Sequence, residues 1–462
     1  EESEESKQKA EEAHEITQDL LDETFDSAAL EANFEQRLND EIANLQPEWT
    51  EFKNDVTTQL AKKAEIQFEP ITVYVPADYP TINEAITKLS EFKTKRNVYF
   101  NIMIQSGYKP TERIYLVDGD YSKFRLSSED EIVYLDPSFP QEPFIQLQNA
   151  MGPTINTIFN GGGYCTIGIA VYHNSTIKIN QGCGFTHAGH DNLMVRYGGI
   201  ATANYAILTH ASQADKGIDQ EDDEVTTGGY AGISAWGGMV YAHGADVSYS
   251  ERYGARAAYA GTLYFQGGVA NNCKSHGIRA SHAGIVEARE ATADNAGRHG
   301  IYALAGSIIN AYYAKARNAG NYGVIASQAS MIDARYADVS GSRNGVRAFQ
   351  GSTVNFMNGE AIDCTGDYGI NAYGSSRVNA TSCRIQGAYL GIRAEKGSEV
   401  NANLAWINSS SGRGLAAYDG STINADVANI QFIGVDNTSA QGVRCENGSR
   451  INLRRAAVRE SG

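Results

Sequence analysis

Side chains suited to chemistry concentrate between Trp236 and Tyr302. Tyr253, His276 and His299 recur at one equal interval, each just ahead of a glycine, and Arg256, Arg279 and Tyr302 each follow three positions later. Two reactions suit these residue types. Glycoside hydrolysis needs two carboxyl groups across a cleft, about 5 to 5.5 Å apart for retention and about 6.5 to 9.5 Å for inversion. Glu251 and Asp294 are the favoured pair, with Asp246, Glu287 and Glu290 as the nearest other carboxylates. Elimination from a uronic acid needs its carboxylate neutralised and its C5 proton taken by a base such as Tyr, His or Lys. Tyr253, Lys274, His276, Arg256 and Arg279 supply that set, so hydrolysis and elimination both stay open. Trp236, Arg256, Arg279, Tyr302 and His299 read as substrate-binding, because rings stack on pyranose faces and guanidinium groups pair with carboxylates. A plainer reading stands beside this one. Arg347, Arg393 and Arg444 repeat the same position as solvated rungs, and His276 and His299 fill a column that is Tyr in flanking repeats.

The element that must position these residues is the repeat itself. YGARA at Tyr253, HGIRA at His276, HGIYA at His299 and YGVIA at Tyr322 open successive units. The Gly-apolar step recurs from Gly232 to Gly414 with a period of about 23 residues, and a fixed period in this range marks one supersecondary unit stacked on itself. Gly277-Ile278-Arg279-Ala280 alternates outward and inward, which is a strand period. A second strand carries Gly-Ser-X-apolar-Asn, as at Gly306 to Asn310 and Gly420 to Asn424, and Ala314 to Arg317 reads as a third. No ten-residue stretch of the repeat has a helical apolar stripe. The fold class is therefore mainly β: a parallel β-helix of about twelve coils, with Ile278, Ile301, Val324, Val346, Ile370 and Ile392 stacked inside. Asn310, Asp333, Asn355, Asn379, Asn401, Asn424 and Asn452 form an outward polar column. Coils stack at about 4.8 Å, so Glu251 and Asp294, two coils apart, meet the inverting separation.

Departures from the period point to loops. The intervals from Gly168 to Gly199 and from Gly199 to Gly232 each exceed the period by more than a third, which places an excess in each of two adjacent coils and makes a wall beside the arginine column. His187, His190 and Asp191 fall in the first excess, as loop hydrogen-bonders or metal ligands, but no fourth ligand accompanies them and no metal site is assigned. The acidic run from Asp219 to Glu224 lies in the second, as a solvated loop or a calcium site. No other cofactor is expected.

The 462 residues carry a net charge of -17, with 47 glycines and 26 tyrosines. Residues 1–66 hold -13 of that charge, from 19 acidic and 6 basic residues, and leave the rest nearly balanced. No basic surface or apolar span survives, which argues against nucleic acid and against a membrane-spanning segment. Residues 1–66 read as an acidic helical neck whose stripe of Phe34, Leu38, Ile42, Leu45, Trp49, Phe52, Val56 and Leu60 supports self-association, or packs as a hairpin broken near Pro47. Residues 67–160 read as a capping region with strands near Ile71, Val98, Phe124 and Phe144, and Thr81 caps a helix from Asn83 to Phe92. Residues 161–462 form the solenoid proper, with its C-terminal end uncapped. Six cysteines without a CxxC read as buried thiols. The chain starts at Glu1 rather than Met, as expected of a fragment or processed product.

An acidic helical neck, a Tyr79-Pro80-Thr81-Ile82 motif with its helix, and coils of this constant period together resemble the tailspike proteins of bacteriophages, which share a pectate-lyase-like right-handed parallel β-helix. The resemblance is one of architecture, without a catalytic signature. It implies a homotrimer on the virion, joined to the phage tail or baseplate through its N-terminal region. It also implies binding and cleavage of a bacterial surface polysaccharide: capsule, exopolysaccharide or O-antigen. A non-catalytic glycan-binding tail fibre or adhesin is the alternative, and a purely structural rod the third reading.

Overall fold

The computed structural model describes residues 7–9, 11–12, 66–67, 70–94, 98–211, 230–409, 413–433 and 442–461. The chain divides into two units, Glu1–Ile66 and Gln67–Gly462. In the first unit the described residues 7–9 and 11–12 are helical. The expected neck stripe from Phe34 to Leu60 lies outside the described residues, as does the acidic run Asp219 to Glu224.

The second unit is a parallel β-solenoid. Its first sheet has 14 strands, its second 16, and a third side holds a 3-stranded and a 5-stranded piece. That makes about fourteen coils rather than twelve. The added coils lie within residues 67–160, where Ile71–Val75, Phe100–Ile104, Phe124–Ser128 and Met151–Ile155 stack in sequence on the second sheet without the glycine signature. Large rings fill those coils instead, with Phe100 and Phe124 at 5.4 Å and Phe144 and Phe159 at 4.9 Å. The helix spans Ile82–Leu89. Thr81 accepts from the Glu84 N–H at 3.2 Å, and Ser90 closes the far end by donating to the Ile86 carbonyl at 2.7 Å, short of the expected end at Phe92. Its buried face, Ile82, Ala85, Ile86 and Leu89, packs on the first two strands of the second sheet.

In the regular coils the inward column runs Ala255, Ile278, Ile301, Val324, Val346, Ile370, Ile392, Leu415 in unbroken register, every member buried. The outward amides also align, and the Asn310 amide donates to Glu287 at 2.8 Å and that of Asn379 to Asn355 at 3.1 Å. The third strand narrows to single bridges at Val269, Thr292, Lys315 and Asp338. Tyr313 and Asn318, both in the left-handed region, bracket Ala314 to Arg317 and leave too short an extended piece for a ladder. Asn272, Asn295 and Asn318 repeat that conformation coil after coil, and their amides link at 3.1 Å, which suits the residue type that best tolerates positive φ.

The two expected insertions are one. Ile169 pairs with Leu193 and Leu193 with Ile233, so the first gap is an ordinary coil and the second, from Leu193 to Ile233, carries all the excess. Gly199 opens a strand of the second sheet, not the first. Asn192 stands where other coils have the repeat glycine. Its side chain accepts from Ala188 at 3.0 Å and donates to the Thr209 carbonyl at 2.7 Å, an alternative use of the space. The wall of two adjacent loops therefore does not form.

Two features hold coil to coil closely. A Cβ on Gly300 would lie 2.5 Å from that of Ala316, so this position excludes any side chain through close approach alone. The second is a serine ladder: Ser352 Oγ accepts from the Ser330 N–H at 3.2 Å and donates to the Phe349 carbonyl at 2.8 Å. Leaving such a buried donor unpaired costs about 1–3 kcal/mol, and overpacking a core costs about the same. Ser352→Ala and Gly300→Ala are each expected to lower the thermal unfolding midpoint, measured by circular dichroism or calorimetry. Unchanged midpoints would show that these ladders do not hold the stack together.

Candidate functional site

The first sheet carries the candidate site on two neighbouring columns. At the strand start, Tyr253, His276 and His299 stand in register. Their rings stack, at 5.6 Å between Tyr253 and His276 and 5.0 Å between His276 and His299. The outward column three residues on runs Ser234, Arg256, Arg279, Tyr302, Ile325, Arg347. Trp236 does not belong to that column. It lies two residues past Ser234, in register with Arg196 and Ala258, because strand alternation returns every second residue to the same face. It still meets the arginines, with the Arg196 guanidinium 4.2 Å and the Arg256 guanidinium 5.0 Å from its ring.

These side chains are more enclosed than an outward column suggests. Arg256 is 6% exposed and His276 not at all. Arg279 donates to the Tyr253 hydroxyl and lies over the Tyr253 and Tyr302 rings at 4.9 and 5.8 Å, while Tyr302 shares a 3.3 Å hydrogen bond with Ser327. His299 Nδ1 accepts from the Tyr322 N–H at 3.3 Å, whereas among the described residues neither nitrogen of His276 has a hydrogen-bond partner. Burial, reinforced by the neighbouring imidazole and arginines, holds His276 well below the usual histidine range and takes His299 down to about 3. Both are neutral at physiological pH.

Glu251 and Asp294, the expected hydrolytic pair, stand in different columns. Asp294 stands in the column of Ser248 and Asn271, where each side chain accepts the backbone N–H one coil on, and Glu251 lies in the column of Lys274. Each charge is already met. Lys274 approaches Glu251 at 2.5 Å, and Arg317 grips Asp294 with contacts of 2.5 to 3.2 Å. Rings expected to stack on sugars stack on one another, as Trp236 does on Tyr259 at 4.9 Å and 11°, and a ring stacked this way turns its edge outward.

Asp191 is the residue that sequence reasoning places only among loop hydrogen-bonders and metal ligands. With Leu193 paired to Ile233, Asp191 falls at the strand start opposite Ala231, in the same column as Tyr253, His276 and His299. It is fully buried. Its Oδ1 accepts from the Ala231 N–H at 2.7 Å, and among the described residues its Oδ2 has no hydrogen-bond partner. Burial pushes its carboxyl up to about 6, against the opposing pull of that N–H, Arg256 and Arg196. The legible signal is the Asp-Asn pair replacing the repeat's aromatic-Gly pair, which stays hidden as long as Gly199 is read as the strand start. A carboxyl titrating near neutrality, a tyrosine and neutral imidazoles on one column are the equipment of general acid–base chemistry.

His187, His190 and Asp191 do not converge. His187 stacks on His210 at 4.6 Å and His190 meets Tyr230 at 4.5 Å, and among the described residues no three His, Cys, Asp or Glu gather as a metal requires. All six cysteines are unpaired. Cys165, Cys273, Cys364 and Cys383 are buried, which pushes each thiol up to about 12. A cleft of 490 Å³ sits beside the capping helix, lined by Asn83, Thr87, Arg113, Tyr115 and Tyr121 among others, and none of the ionisable column lines it.

The shifts give opposing pH dependences. For Asp191 the folded state keeps its proton up to about 6, so its burial destabilises the fold increasingly as pH rises from about 4 to about 6. For His276 and His299 the unfolded chain takes the proton first, so stability is lost as pH falls below about 6.5, for His299 down to about 3. Two histidines outweigh one aspartate, and the unfolding temperature should drop between about pH 7 and about pH 5. His299→Tyr, which repeats the residue at Tyr322, should flatten that drop, and Asp191→Asn should steepen it. Calorimetry across this range decides, and parallel curves for all three proteins would overturn the assignment.

Residues 276–458 match the family model described as right handed beta helix region. No curated protein matches the sequence. Among solved structures, a periplasmic alginate epimerase is similar over 78% of this chain and 77% of its own, at 11% identity and a TM-score of 0.37. The Agl-KA catalytic domain is similar over 83% of this chain and 68% of its own, at 12% identity and a TM-score of 0.45. The family match and the sheet order together describe a right-handed parallel β-solenoid of about fourteen turns.

Proposed function

We propose that the protein is a bacteriophage tailspike that binds and depolymerises a bacterial surface polysaccharide: capsule, exopolysaccharide or O-antigen. The observation that carries this reading is the ionisable column at the start of the first sheet, Asp191, Tyr253, His276 and His299, flanked by Arg196, Arg256 and Trp236. In this scheme glycan binding opens the column, so that Asp191 and Tyr253, both buried in the free protein, exchange protons with it, the neutral imidazoles keep the site free of competing charge, and the arginines hold acidic groups of the sugar. Glu251 and Asp294 act through their ion pairs as supports. The acidic N-terminal segment joins three copies and mounts them on the phage tail, so the protein works at the bacterial cell surface as part of the virion.

A second reading, a tail fibre or adhesin that holds glycan without cutting it, has its own support. Glu251 and Asp294 are already paired with Lys274 and Arg317, and His276 is wholly enclosed.

One experiment separates these. The protein is incubated with a panel of bacterial polysaccharides while polymer size and the ultraviolet absorbance of a new conjugated double bond are followed together. Shortening with absorbance identifies elimination and shortening without it hydrolysis. Retention without shortening establishes the adhesin, and no retention of any polymer overturns both readings. If chain cleavage occurs, Asp191→Asn and Tyr253→Phe should each slow it by about 100-fold or more, the usual loss on removing a general acid or base.

A further inference from the structure

The outward face of the first sheet is cationic in a chain whose net charge is -17. Its arginines are not equivalent. Arg393 and Arg444 have Glu395 and Glu446 in contact two residues along their own strands. Among the described residues no carboxylate lies at ion-pair distance from Arg256, Arg298 or Arg347. Arg256 is the most demanding of the three. It is 6% exposed, and among the described residues its Nε has no hydrogen-bond partner. Burial, and then the like charge of Arg279, pull it down to about 10, and Asp191 attracts it without pairing. Enclosing a guanidinium away from water is unfavourable unless an anion joins it.

Arg347 repeats the situation at a more open place. It is half-buried, its Nε also lacks a partner among the described residues, and its guanidinium lies 4.6 Å from the Phe349 ring and 5.5 Å from the Tyr322 ring. Arg298, half-buried, stands between them along the axis and adds its field to both histidines. Arg256 and Arg347 are four coils apart, about 19 Å along the sheet. Cations in one straight register, with Arg279, Tyr302 and Ile325 standing between Arg256 and Arg347, suit a linear polymer that carries charge at intervals. The planar fork of guanidinium matches a carboxylate best.

We propose that this face binds an acidic polysaccharide, its sugar carboxylates seated against Arg256 and Arg347 with Arg298 between them. The proposal rests on the polysaccharide reading above and narrows it to uronate-type or similarly carboxylated chains.

The test is equilibrium binding of acidic bacterial capsular polysaccharides, each beside its own carboxyl-reduced form, at low and high salt, with duplex DNA as a second polyanion. The native acidic form should bind, more weakly as salt rises, and the reduced form about tenfold or more less tightly, the loss expected when charge-assisted hydrogen bonds go. Arg347→Gln, at a half-exposed position that tolerates change, should weaken the acidic form by about tenfold and leave neutral polymers unaffected. Arg256→Gln should act the same way if it folds. A neutral or reduced polymer held as tightly as the acidic one, or an Arg347→Gln protein that binds undiminished, overturns the acidic-glycan assignment and leaves the polysaccharide reading standing. DNA bound as tightly as the glycan overturns it in favour of an unspecific cationic face. Binding of no polysaccharide at all removes both.

Discussion

Each coil of this chain satisfies its backbone only by lying on the coil before it. The strands of one coil have no partners within that coil, so the ladders of the first and second sheets run only between successive coils. That demand holds consecutive coils to one path and one register. Wherever the path is tight, as where Gly300 meets Ala316, a side chain cannot be inserted without pushing two coils apart. The serine ladder follows from the same demand, because a coil turning out of one sheet leaves an N–H that only the next coil's hydroxyl can reach.

Constant register turns each residue position into a column, and a column places like upon like about one strand spacing apart. Hydrocarbon gains from this and amides accept it. Charge does not. The protein answers in two ways. Along the column of Glu251 and that of Asp294 the sign alternates, so Lys274 and Arg317 neutralise the carboxylates one coil on. In the column of His276 and His299 the charge is given up, and two imidazoles stack neutral at 5.0 Å. Asp191, Arg256 and Arg347 follow neither course. Among the described residues, a buried carboxyl with one unbonded oxygen and two guanidinium groups without a carboxylate partner are where the stack tolerates an electrostatic cost that structure alone does not require.

The repeat is readable because the same tight approach recurs and each time demands glycine, as at Gly277, Gly300 and Gly323. Where a different residue solves the same problem, reading by glycine fails. Asn192 fills the glycine's place with two hydrogen bonds, so a count of glycines puts Gly199 in the wrong sheet, turns one coil into an insertion and makes Asp191 a loop residue. Coils packed by Phe100, Phe124, Phe144 and Phe159 carry no glycine signature and are equally hard to count.

The sequence by itself determined that the chain stacks, with what period, and which side chains point inward, because these depend on residue size and alternation along a single strand. It also determined which residue types line the outward face of the first sheet. Tertiary structure decided which of them meet. Whether Glu251 is an available acid or half of an ion pair depends on Lys274 in the following coil, and whether Arg256 is a rung or an unmet cation depends on Asp191, Arg279 and Trp236 from other coils. Proton affinity and pairing are set by the dielectric and the charges within a few ångströms, and in a stack most of those neighbours lie a full coil or more away along the chain.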